Sequence, residues 1–125
     1  MAAPRRPTDA ELAILRVLWS QGPSTVREVA EETGREGAYT TVLKLLQIMT
    51  GKGLVRRDES ARTHVYRAAR SERATQRQLV RDLADRAFGG SASRLVMQAL
   101  AVKKASPDEL AEIRKWLAEQ EQERA

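Results

Sequence analysis

Apolar residues recur along this chain in a helical rhythm that is broken once by a strand rhythm. Thr8-Asp9-Ala10-Glu11 is a capping box, in which hydroxyl and carboxylate satisfy the free N–H groups at a helix start. Leu12, Leu15 and Trp19 follow at helical spacing with Ile14 and Leu18 beside them, and Gln21-Gly22-Pro23 ends this first helix. Thr25-Val26-Arg27-Glu28 opens a second, short helix with Val26, Val29 and Ala30 as its apolar stripe, and Gly34 and Gly37 mark a turn. The spacing predicts a third helix from about Tyr39 to Thr50. Val42, Leu45, Leu46 and Met49 lie on its buried face, with Thr40, Lys44, Gln47 and Gly51 opposite. Gly51 and Gly53 stop it. The period then shortens: Leu54 to Asp58 and Thr63 to Arg67 read as two strands joined by a turn over Glu59 to Arg62.

Beyond Arg70 the pattern returns to helices. Ser71 opens one carrying Leu79, Val80, Leu83, Ala84, Ala87 and Phe88, and Gly89-Gly90 ends it. Ser91 or Ser93 opens another with Leu95, Val96, Met97, Ala99 and Leu100. Ser106-Pro107-Asp108-Glu109 is a further capping box with Pro at the first helical position, followed by Leu110, Ile113, Trp116 and Leu117. The polar tail from Glu119 to Ala125 is expected to fray, and residues 1–7, with two Pro and two Arg, read as a flexible arm. There is no internal repeat and no low-complexity tract. The division that follows is 1–70 and 71–125. The fold class is mainly α with a small β-hairpin wing: a winged helix-turn-helix, then a helical region.

Composition sharpens this. The chain has 125 residues, 42% of them hydrophobic but only 4% aromatic, so Leu, Val, Ile and Ala must fill the core. Its 22 Lys and Arg against 17 Asp and Glu leave a charge of +5, which suits an anionic partner. Residues 1–70 hold 12 basic and 8 acidic side chains, residues 71–125 hold 10 and 9, so the excess sits with the hairpin. The absence of Cys excludes disulfides and thiolate metal sites and is compatible with the cytosol. No apolar run reaches the roughly 18 residues that span a bilayer, and no hydrophobic region follows the Pro/Arg start, so a soluble, cytoplasmic protein is expected.

The first three helices bury their apolar faces on one another, which leaves the polar face of the third free. Tyr39, Thr40, Thr41, Lys44 and Gln47 on that helix (39–52) are the candidate DNA contacts. Lys52, Arg56, Arg57, Arg62 and His64, with Arg67, line the helix end and the wing at 54–67. Hydroxyls can reach base edges or phosphates, Lys44 can take a guanine edge or a phosphate, and the wing cations suit phosphates. His64 is the only histidine, so a multi-histidine metal site is excluded, and no carboxylate pair, nucleophile or glycine-rich phosphate loop supports catalysis or a cofactor. Leu79, Leu83, Phe88, Leu95, Val96, Leu100, Leu110, Ile113, Trp116 and Leu117 exceed what thin C-terminal helices can bury among themselves. A second copy of the chain would cover them, matching a two-fold operator. The alternative is that they fold back on the N-terminal half.

Glu11-Leu12-Ala13-Ile14-Leu15-Arg16-Val17-Leu18-Trp19, Thr40-Thr41-Val42, Lys52-Gly53-Leu54-Val55 and Arg62-Thr63-His64-Val65-Tyr66 stand in an order that resembles the penicillinase-repressor family, over about Thr8 to Leu117. The resemblance implies a dimeric repressor, an N-terminal winged helix, a C-terminal helical dimerisation region and dyad-symmetric promoter sites. Some members are released by cleavage at an Asn-Phe bond triggered by a membrane sensor protease. The corresponding stretch here, Leu95-Val96-Met97-Gln98-Ala99-Leu100, has no such bond, and the sensor or protease partner stays open. The cysteine motif of copper-responsive members is absent. Many members have a basic residue where this chain has Leu43 and an Arg where it has Ile48, so the operator can differ. A winged-helix protein–protein module is the competing reading, and a small hydrolase a third for which no cleft residues are found.

Overall fold

The structure is a computed structural model that describes residues 6–34 and 38–124. Gly37 and the first five residues of the N-terminal arm lie outside the described residues. Helix α1 spans Asp9–Gln21. The Thr8 hydroxyl accepts the Glu11 N–H at 3.2 Å while Glu11 Oε1 accepts the Thr8 N–H at 2.9 Å, so two otherwise orphaned donors are paired. Gly22, at φ 84, closes the helix in a backbone region that side chains strain to enter. The same device starts α2 (Val26–Thr33), where Thr25 and Glu28 exchange bonds of 3.2 and 2.9 Å.

Helix α3 spans Ala38–Lys52, two residues further than its apolar period indicates. Gly51 lies inside the helix, and Gly53, at φ 78, is the stop. The extra half-turn makes Lys52 the last helical residue and fixes where its ammonium points.

Three strands follow from this placement: β1 (Ser24–Thr25), β2 (Val55–Asp58) and β3 (Val65–Ala68), antiparallel in the order β1-β3-β2. The hairpin is as expected, with each strand starting one or two residues later than the composition suggests. The third strand is the segment between α1 and α2. Ser24 pairs with Tyr66 and Thr25 with Val65, so the wing is stitched directly to the helix-turn-helix. The core of this unit is Ile14, Leu15 and Leu18 from α1, Val26, Val29 and Ala30 from α2, and Ala38, Val42, Leu46 and Met49 from α3. Leu54, Val55 and Tyr66 close it from the hairpin. The Trp19 indole N–H donates to the Arg70 carbonyl at 3.0 Å, tying the chain after the wing to α1.

Helices α4 (Glu72–Ala87), α5 (Ala92–Val102) and α6 (Pro107–Arg124) complete the chain. Ser91 caps α5, and Ser106 and Glu109 form the expected capping box of α6. The tail does not fray as its polarity suggests: α6 stays helical to Arg124. The chain forms two compact units that divide at Val80/Arg81, within α4, whereas the sequence pattern changes at 70. Among the described residues no helix is long and apolar enough to cross a membrane.

Candidate nucleic-acid interface

The buried positions of α3 are Ala38, Val42, Leu46 and Met49. At 100° per residue, Thr40, Lys44, Gln47 and Gly51 then fall on the opposite side with Ile48 at its edge, toward Thr41, and all five are exposed. Tyr39 and Thr41 are exposed on its two flanks and belong to different neighbourhoods. Thr41 lines a cleft between α1 and α3 with Arg16, Val17 and Glu32. Tyr39 lines a cleft of about 540 Å³ with Arg27, Leu43, Arg62, Thr63 and His64. The first turn of α2, the start of α3 and the tip of the wing therefore converge on one concave, basic surface. Arg27 is the residue there that sequence reasoning missed. Its place follows from the pairing of β1 with β3, which brings the start of α2 beside the wing.

The wing's electrostatics point the same way. Arg56 stands directly across the ladder from Arg67, and both are exposed. Like charges facing each other across strands destabilise the pair, and an anion laid over them reverses the sign. Arg57 is partly neutralised by an ion pair with Glu59. Asp58 is turned into the loop: the Ser60 hydroxyl and N–H, with Arg67 contributing less, hold its carboxyl below the ordinary value. One wing carboxylate is thus engaged by the turn and another by Arg57, leaving Arg56, Arg62 and Arg67 outward on the hairpin.

Lys52, expected at a phosphate, makes an ion pair with Glu11. Its ammonium donates to both carboxylate oxygens of Glu11, at 3.0 and 2.9 Å, and its side chain is 24% exposed. Glu11 itself is 1% exposed. Burial works to raise the Glu11 pKa, but the Thr8 N–H and the Lys52 ammonium outweigh it and hold the carboxyl below its ordinary value. The pair clamps the start of α1 to the end of α3, at the residue that leads through Gly53 into β2. Glu11 was legible as a helix cap, but its partner 41 residues away was not.

Along α4, α5 and α6 the residues expected to form an interface are exposed or half-buried. No residue of α5 or α6 is buried. Leu83, Val96, Leu110 and Leu117 are exposed, Trp116 is 57% exposed, and Leu79, Phe88, Leu95, Leu100 and Ile113 are half-buried. Val80, Met97 and Val102 are also exposed, Val102 to 74%, and extend the apolar surface beyond the positions singled out from sequence. An apolar groove of about 710 Å³ runs between Leu83, Phe88, Leu95, Met97 and Val102. Among the described residues no group of three or more acidic or His side chains is placed to hold a metal ion.

The penicillinase repressor family model matches residues 7–119. Two curated relatives, each called transcriptional regulator BlaI and coming from the CDC 1551 / Oshkosh and H37Rv strains of Mycobacterium tuberculosis, are 35% identical over 124 residues. The alignment covers 97% of this chain and 89% of each relative.

Proposed function

We propose, because the chain belongs to the penicillinase repressor family, that this DNA-binding transcriptional repressor acts in the cytoplasm as a homodimer on dyad-symmetric promoter sites. Each protomer lays the exposed face of α3 in a major groove, with Thr40, Lys44 and Gln47 toward base edges. The cleft formed by Arg27, Tyr39, Arg62 and His64, together with Arg56 and Arg67, takes the flanking phosphates, which fix position rather than sequence. The C-terminal helices carry the dimer, and two-fold symmetry sets the spacing of the half-sites. Transcription stops because the bound dimer occludes polymerase at an overlapping promoter.

The observation that carries this reading is the convergence of α2, α3 and the wing on one basic concave surface, beside a helix face that nothing in its own unit covers. The dimer is supported by the apolar surface of α5 and α6. Fluorescence anisotropy on the chain's own upstream promoter, against a scrambled duplex at two salt concentrations, tests the proposal. Tight, salt-dependent binding to the promoter alone is the expected result. Lys44→Ala should weaken the promoter more than the scrambled duplex, and Arg56→Ala should lower the salt slope by about one unit for both. No binding at either salt would instead identify a winged-helix module that docks on protein.

A further inference from the structure

Ile48 is the anomaly of the reading face. It is 43% exposed, with Thr41 two turns before it, Lys44 one turn before it and Gly51 one turn after it. Its apolar neighbours Leu43 and Leu45 are packed against the core, so their residue type is explained by folding. Ile48 lies at the edge of the polar face, between Lys44 and Thr41, where a solvated helix surface ordinarily carries polar groups.

Gly51 raises the same question independently. Its backbone is helical with no left-handed φ, and a Cβ built there meets nothing within 4 Å. Neither the chain's conformation nor its packing requires glycine, which is unfavourable in a helix. A residue without a side chain, next to an exposed β-branched one, fits a surface that another molecule approaches closely.

We propose that Ile48 is a specificity-determining residue that packs against the C5-methyl group of thymine in the major groove, with Gly51 providing the clearance. The inference rests on the DNA-binding reading above and names what that site selects. The methyl group is the one apolar feature a base edge offers there, and it marks thymine among the four bases. Lys44 lies one helical turn away, about 5.4 Å along the axis, which spans one to two base pairs at about 3.4 Å each. The face therefore selects a thymine one or two steps from the base or phosphate that Lys44 takes.

The test begins by selecting bound duplexes from a random-sequence library with the full-length protein. Each thymine of the recovered site is then replaced by deoxyuridine, which removes only the methyl group, and affinity is measured for the natural chain and for Ile48→Ala. The expected result is about four-fold weaker binding of the natural chain at one thymine per half-site, the worth of one buried methyl. Ile48→Ala, with an unchanged unfolding midpoint, should show no loss there. Uniform affinity across all deoxyuridine positions, or equal sensitivity in Ile48→Ala, would overturn the assignment while leaving DNA binding intact. Failure to enrich any duplex would overturn the DNA-binding reading itself, and the inference with it.

Discussion

Leu46 and Trp116 are both large apolar side chains on helices of the same chain, yet Leu46 is fully buried and Trp116 is 57% exposed. The contrast runs through the two units. The first closes a core with three helices and a hairpin, using stops and caps that are each satisfied locally. The second has capped helices but no interior of its own, because α5 and α6 bury no residue. The first unit thus buries a core of its own large apolar side chains, while the second leaves several of them exposed. The division of labour proposed above, reading in the first unit and association in the second, follows that difference.

The largest effect expected on the self-sufficient side is at Leu46. Leu46→Ala removes a side chain with no exposed surface and should lower the unfolding free energy by about 4 kcal/mol, read by urea titration. A cost below about 1 kcal/mol would mean that the core is not closed as described. Next comes the clamp between α1 and α3. Lys52→Met leaves the Glu11 carboxylate buried against its cap alone and should cost about 3 kcal/mol, while leaving the salt slope of DNA binding unchanged. A slope reduced by one unit would return Lys52 to the phosphate interface.

That clamp also shows how far the sequence could be read. The capping boxes at Thr8, Thr25 and Ser106 were legible because both partners lie within four residues, and the buried stripe of α3 was legible because a helix repeats. Strand β1 was not, since two residues carry no period and its partners, Val65 and Tyr66, are some forty positions away. The second roles of Glu11 and Lys52 were hidden for the same reason. Of the reading face, polarity indicated Thr40, Lys44 and Gln47. Ile48 was marked only as a departure from the family's Arg, and its exposure then separated it from Leu45 and Leu46. The exposed Val102 was missed because an apolar residue at a helix end gives no sign of which side it faces.

Acid sharpens the contrast within the first unit. The Glu11 carboxyl is held below its ordinary value of 4.5, so its contribution to stability is complete above that pH and is lost as pH falls through the folded-state value. The unfolding midpoint should therefore drop as pH is lowered from about 5 toward 3. Glu11→Gln should start lower at neutral pH and flatten that dependence. An equally steep fall in the variant would assign the acid sensitivity to other carboxylates.

On the open side, Trp116→Glu places a charge in the surface that a second copy is proposed to cover. It should weaken self-association about a hundred-fold, equivalent to about 2.7 kcal/mol, while the thermal transition of the N-terminal unit stays in place. The smallest effect is at Gly51. Gly51→Ala should stabilise the helix by about 0.5 kcal/mol and yet weaken DNA binding, the two effects having opposite signs. If binding is unchanged, the close approach at that face is wrong.

The most direct test of the account is sedimentation equilibrium of the full chain, alone and with a promoter duplex it binds, beside Trp116→Glu. The account predicts a dimer in solution, two protomers per duplex, and a folded variant that sediments as a monomer at the same concentration. A natural chain that is monomeric and binds one per duplex would contradict it, as would a Trp116→Glu variant that remains a dimer.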